Sequence, residues 1–278
     1  MAGGIIAAAI TAHVPRMGIE DKAPDFQRGL IAGSKAMGEA LRGLKPDLFV
    51  LQSAHWVSSF NWYVTSHALH KGYCVADEAP DLIPGLPYER KGDPAFAGAL
   101  ADAMKAEGMP AFTTDNEHRS WDYACWVPMV YLDPQSSIPL IELPTCLAAD
   151  HAENMKAGRL VHEVAKKSGR RVVFLASSAL THKIARGPHL WPTDERLALD
   201  RDFIAGLAAG DVDRLSQGFA EYSQATAAEM GGRVIATLLG GLGAMRADYG
   251  PLSGRQYGDY AQSSGSGNVN VAVQPTAH

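Results

Sequence analysis

The chain has 278 residues, 46% hydrophobic and 20% charged, with a formal net charge of −5. This length and composition allow a full hydrophobic core in one large α/β domain or two small ones, and they exclude a disordered chain. They also exclude a nucleic-acid footprint, because Lys and Arg cluster no further than the pairs Lys166-Lys167 and Arg170-Arg171.

The apolar stretch "AGGIIAAAI" at 2–10 is too short to span a bilayer and has no basic residues before it, so it reads as a strand rather than a membrane segment or signal peptide. Three cysteines, Cys74, Cys125 and Cys146, are odd in number and unpatterned in spacing, which suits the reducing cytoplasm better than a disulfide framework. Further along, the runs 48–51, 138–143 and 172–175 are short and continuously apolar, as strands buried on both faces are. Between the strands, helical spacing predicts helices near 24–43, 94–107, 151–168 and 195–208, with another over 224–239. The Pro- and Gly-dense stretch 80–94 reads as a long loop, and "NVNVAV" at 268–273 as a half-buried edge strand. "SSGSGN" at 263–268 lacks the Lys-Ser/Thr pair of a phosphate loop and reads as a tight turn. The expected fold is a single α/β domain over 1–278, with a largely parallel central sheet flanked by helices and the active site at the carboxyl ends of the strands.

Three of the predicted strands deliver a histidine just past their carboxyl ends: His13, His55 and His182. In an open parallel sheet these ends share one edge, so residues far apart in sequence converge there. Two imidazoles with one carboxylate and open positions suit non-haem Fe(II), whereas three imidazoles suit Zn. Spacing alone leaves Asp115, Glu117, Asp122, Glu229 and Asp259 open as the carboxylate.

The segments "AHVPRM" (12–17), "SAHW" (53–56), "WDYACWVPMVYL" (121–132), "LASSALTHK" (175–183), "AEMGGRVIATLLGGLG" (228–243) and "SSGSGNVNV" (263–271) run in this order over nearly the whole chain. Together they resemble the class III extradiol ring-cleavage dioxygenases, the superfamily of the protocatechuate 4,5-dioxygenase catalytic subunit. The likeness is greatest to the branch of homoprotocatechuate 2,3-dioxygenase and 2-aminophenol dioxygenase. It implies Fe(II) held by His13, His55 and Glu229, with Asp259 the alternative third ligand, O2 as co-substrate and His182 as acid-base catalyst. The protocatechuate-type relatives carry Asp-His-Gly where this chain has Asp122-Tyr123-Ala124, and the homoprotocatechuate branch has tyrosine there, so Tyr123 becomes a second catalytic candidate.

His118 and Arg119 lie just before this segment and are expected to bind a polar or anionic substituent of the substrate. Trp56, Trp62 and Trp126 offer stacking surface, and "RGPHLWP" at 186–192 would bring polar groups close to the ring. The implied substrate is a small aromatic or heteroaromatic ring with adjacent oxygen or nitrogen substituents: a catechol, a 2-aminophenol or a 3-hydroxy-4-pyridone. A homodimer or homotetramer, with no nucleic acid or membrane partner, is expected. Two rival readings are a Zn-dependent hydrolase built on His13 and His55, and a non-catalytic member acting as a binding subunit.

Overall fold

In the computed structural model, which describes residues 3–76, 78–187 and 189–276, the first apolar run forms strand β1 (Gly4–Thr11). All eight of its residues are buried, and its side chains divide between two cores: Ile5, Ala8 and Ile10 on one face, Ile6, Ala7 and Ala9 on the other. A strand sandwiched this way needs apolar residues at every position, which is why it reads as a run rather than an alternation.

Beyond β1 the chain continues through α1 (Asp25–Gly43), β2 (Leu48–Ser58), β3 (Trp62–Thr65), β4 (Leu69–Val75), β5 (Pro84–Lys91), α2 (Pro94–Ala106), β6 (Ala111–Thr114), α3 (Tyr123–Leu132) and β7 (Leu140–Cys146). There follow α4 (His151–Ser168), β8 (Arg171–Ser177), α5 (Asp194–Ala209), α6 (Val212–Gln217), α7 (Phe219–Thr226), α8 (Arg233–Tyr249), β9 (Leu252–Ser263) and β10 (Ser266–Pro275). The main sheet has the order β7-β2-β8-β1-β10-β9, parallel through its first four strands and antiparallel at the last two. Helices α1 and α3 pack on one face, and α4 and α8 on the other. This is the expected mainly parallel α/β sheet. It brings the carboxyl ends of β1, β2 and β8 side by side.

Three predicted elements differ. Residues 84–91 form β5, which pairs with β4 in a separate two-stranded sheet rather than running as a loop. Its prolines are tolerated because a strand in so narrow a sheet has an unpaired side, where a missing N–H costs nothing. Strand β10 is an inner strand, and β9 takes the edge. Its alternation comes from buried asparagines: Asn270 Nδ2 donates to the Leu30 carbonyl, and its Oδ1 accepts from the Ala12 amide. Residues 224–239 are two helices, α7 and α8, separated by a 3-10 turn over Glu229–Gly232. Met230, Gly231 and Gly232 have φ of 49°, 64° and 76°, and three successive left-handed residues cannot continue a right-handed helix. Helix α3 escapes periodicity altogether, because nine of its ten residues are buried and Pro128 sits inside it.

Candidate active site

His13 leaves the end of β1 on a loop pinned by the Asn270 amide, and its Nδ1 faces the Ser177 hydroxyl at the end of β8, 3.1 Å away. Ser177 donates its only proton to the Ala124 carbonyl at 2.5 Å. It must therefore accept from His13, which fixes the proton on Nδ1 and leaves the Nε2 lone pair aimed inward. His55 sits near the carboxyl end of β2 with Nδ1 3.3 Å from Glu78 Oε1, the same device with a carboxylate as acceptor. Ser53 Oγ donates to Asp122 Oδ1 at 2.8 Å and accepts from the His55 and Trp56 amides at 3.0 and 3.1 Å. Asp122 also caps α3, so this bridge ties His55 to Tyr123 at the first position of that helix. The Tyr123 hydroxyl lies 2.8 Å from His55 Nε2.

The left-handed turn after α7 delivers Glu229 to the same point. Its Oε2 accepts from the Ala179 amide at 2.6 Å. Its Oε1 stands 3.3 Å from His13 Nε2, 3.4 Å from His55 Nε2 and 3.3 Å from His182 Nε2. The donor atoms of His13, His55 and Glu229 all lie within 4.8 Å of one another. Imidazole lone pairs converging on a buried carboxylate oxygen repel it unless a cation lies between them, and this donor set is the two-histidine, one-carboxylate triad that suits divalent iron.

The electrostatics agree with an ionised carboxylate at the centre of the cluster. Burial would raise the Glu229 carboxyl, but His13, His55 and His182 outweigh it and hold the group well below the usual carboxylate range. For His55 burial pulls downward, and Glu229, Asp122 and Glu78 more than offset it. Burial, together with the neighbouring His13 and His55, lowers His182 despite Glu229, favouring the neutral imidazole that can take up a proton. Tyr123 is pushed up by burial and by the carboxylates of Glu78 and Glu229, so its phenol stays an O–H donor.

These groups open onto a cavity of about 340 Å³ whose wall includes Val14, Arg16, Leu82, Ile184 and Ser264. His13, His55, Glu229, His182 and Tyr123 are all brought together there. His118 and Arg119 are not. His118 is 86% exposed, whereas Arg119 turns inward, bonds Glu142 at 2.8 Å and stacks on Trp56, 3.7 Å from its ring centre. Asp259 is exposed on β9 with its carboxylate against Gly29, and takes no part in the cluster. Trp62 and Trp126 are core residues whose indole N–H groups donate to Glu153 and to the Pro87 carbonyl. In the stretch 186–192, Pro188 lies outside the described residues, and His189 packs on Phe26. Glu78, Ser177 and Ser53 had no distinguishing sequence signal, since each supports the site through a neighbour.

Arg119 and Glu142 form a buried pair in which burial pushes the Glu142 carboxyl up to about 8, only partly countered by the guanidinium. Arg119→Met is expected to cost about 1–3 kcal/mol of stability by leaving the buried Glu142 carboxyl without its hydrogen-bond partner. Urea unfolding measures this. The substrate KM should stay unchanged, since the side chain does not reach the cavity.

Asp200 of α5 anchors the loop that carries His182. Its Oδ2 accepts from the Thr181 amide at 3.2 Å and from the Tyr260 hydroxyl at 2.7 Å, and its Oδ1 accepts from Tyr222 at 2.9 Å. Burial raises its carboxyl to about 6 against these hydrogen bonds. A folded pKa above the unfolded value means the contribution is complete below about pH 4 and lost as pH rises through about 6. Asp200→Asn stays neutral throughout. The stability of wild type relative to this variant should therefore fall by about 2–3 kcal/mol between about pH 4 and 7, as read from urea midpoints.

A family model described as the catalytic LigB subunit of aromatic ring-opening dioxygenase matches residues 7–274. The chain belongs to this family. Among relatives of this LigB-family chain, the 4,5-DOPA dioxygenase extradiol of Mirabilis jalapa is 24% identical over 148 residues, 52% of each chain. The 2-aminophenol 1,6-dioxygenase alpha subunit of a Pseudomonas species is 24% identical over 232 residues, 78% of this chain and 84% of that one. Dioxygenase tasH of Hapsidospora irregularis is 26% identical over 118 residues, 41% of this chain. The match spans 35% of the length of the tasH protein and about half that of the DOPA dioxygenase. The same fold occurs in a crystal structure of an uncharacterized protein from Escherichia coli K12, with a TM-score of 0.67 at 17% identity, covering 96% of this chain and 99% of that one. In this LigB-family chain the three cysteines are free and buried, and among the described residues no helix is long and apolar enough to cross a membrane.

Proposed function

We propose that the chain is an extradiol dioxygenase, with Fe(II) held by His13, His55 and Glu229. It inserts both atoms of O2 into an aromatic or heteroaromatic ring bearing adjacent hydroxyl/hydroxyl, hydroxyl/amino or hydroxyl/oxo groups. The observation that carries this reading is the convergence of two tautomer-fixed imidazoles on the Glu229 Oε1 atom, at 3.3 and 3.4 Å, beside a cavity within a chain of the LigB family. Fe(II) held by these residues would supply Lewis acidity toward adjacent ring heteroatoms and a route for electron density from ring to O2 without an external reductant.

The protein's own groups supply the rest. His182, neutral and facing the cavity, takes the proton of a phenolic hydroxyl and returns it to a developing oxyanion. Tyr123 offers an O–H to the substrate or oxygen adduct. Ser177 and Glu78 keep the His13 and His55 lone pairs inward, and Val14, Leu82 and Ile184 give the ring an apolar wall. Because His13, His55, Glu229, His182 and Tyr123 form the site within one chain, the reading needs no sister subunit, and a homodimer or homotetramer is the expected assembly.

The test is oxygen-electrode uptake by protein purified without air and loaded with Fe(II). Homoprotocatechuate, protocatechuate, catechol, 2-aminophenol and 3-hydroxy-4-pyridone form the panel, and Zn(II)-loaded protein the control. Uptake stoichiometric with one ring and absent with Zn(II) is expected. Iron bound at one equivalent with no uptake on any ring would contradict the reading.

A further inference from the structure

We propose that Arg16 selects substrates bearing an anionic substituent, such as a carboxylate or sulfonate, on the ring edge remote from the two chelating heteroatoms. The inference rests on the ring-cleaving reading of the site and adds a substrate class to it. Among the described residues that line the cavity, Arg16 is the only Lys or Arg. It is exposed at the mouth, and among the described residues it makes no ion pair, hydrogen bond or ring contact. The cavity's acidic groups are already engaged: Glu78 faces His55 Nδ1 at 3.3 Å, and Glu229 is held by the histidines and the Ala179 amide. One positive charge is left without a counterpart.

The backbone fixes the point from which the Arg16 side chain starts. Arg16 sits in a 3-10 turn, Pro15–Met17, between a proline of fixed φ and a fully buried Met17. The Met17 carbonyl accepts from the Tyr131 hydroxyl, and its amide donates to the Val14 carbonyl at 2.9 Å. A ring held by its heteroatoms at the His13, His55 and Glu229 end of the cavity extends its far edge along a wall that includes Arg16, on the same loop as His13. Ser263 and Ser264 line the cavity too, and among the described residues neither hydroxyl is committed to a protein partner. A guanidinium fork, in a cavity that also offers free hydroxyls, matches the planar oxygens of a carboxylate.

The experiment measures anaerobic binding to Fe(II)-loaded protein by calorimetry, together with KM and kcat from oxygen uptake, at matched iron content. The probes are 3,4-dihydroxyphenylacetate, neutral 4-ethylcatechol and cationic dopamine. Wild type should favour the acid over 4-ethylcatechol by about tenfold, as one partly exposed charge-assisted contact provides. Arg16→Gln should erase that preference by raising KM for the acid. Arg16→Glu should turn it toward dopamine, whereas Arg186→Gln, on an exposed loop outside the cavity lining, should behave as wild type. A preference that survives Arg16→Gln, or a wild type that binds 4-ethylcatechol as tightly as the acid, would overturn the proposal and leave the ring-cleaving reading intact if uptake proceeds. Arg16-dependent binding without oxygen uptake would support the proposal's anion site and overturn the cleavage reading. Binding of none of the probes would overturn both.

Discussion

His13→Ala is expected to lower Fe(II) affinity by at least about 100-fold and to bring ring-dependent oxygen uptake down to background. Charge counts here as well as ligand number. In wild type the Nε2 lone pair points at Glu229 Oε1 from 3.3 Å because Ser177 fixes the proton on the other nitrogen. Alanine leaves one imidazole and one carboxylate of the triad, too few donors to hold a divalent ion against water. Ser177→Ala gives the graded comparison. It keeps all three donors but frees the His13 ring to adopt either tautomer, so its loss should be smaller, about 10–100-fold in metal affinity. Iron content after gel filtration and calorimetric titration of the apoprotein read both effects, and circular dichroism confirms that the fold survives. Equal iron content in wild type and His13→Ala would remove His13 from the site.

His182→Ala is expected to separate chemistry from metal binding. His182 Nε2 is 3.3 Å from Glu229 Oε1, yet His182 is not one of the three residues whose donor atoms group within 4.8 Å. The variant should therefore keep its iron at one equivalent. Loss of a positioned acid-base group costs about 10²–10⁴-fold in rate, so kcat should fall by that amount with KM for the ring nearly unchanged. Added imidazole should recover part of the lost rate, because the cavity left by the side chain opens to solvent. Loss of iron from His182→Ala would instead make His182 a ligand.

How much of this was legible in the sequence depended on where each residue's partners lie. His13 and His55 could be found because each follows or ends an apolar run that is a strand buried on both faces, and strand ends in a parallel sheet share an edge. The position of Glu229 could not be read from periodicity. Residues on both sides of it belong to apolar helices, and the left-handed turn that separates them is signalled only by Gly231-Gly232. Arg119 misled because proximity in sequence to Tyr123 says nothing about side-chain direction. Its true partner, Glu142, was visible as a lone acid within the apolar run of β7, a residue that needs a buried cation. The buried asparagines of β10 imitated a solvent-facing alternation because protein partners satisfy them as water would: backbone for Asn270, the Ser266 hydroxyl for Asn268.

A triad that directs both atoms of O2 into a ring leaves an isotopic signature. Turnover of the preferred ring under 18O-labelled dioxygen, followed by mass spectrometry of the opened product, tests for it most directly. Both labelled atoms should appear in the product of the Fe(II)-loaded protein. A product carrying only oxygen from water, or an unopened ring carrying one labelled atom, would contradict the account.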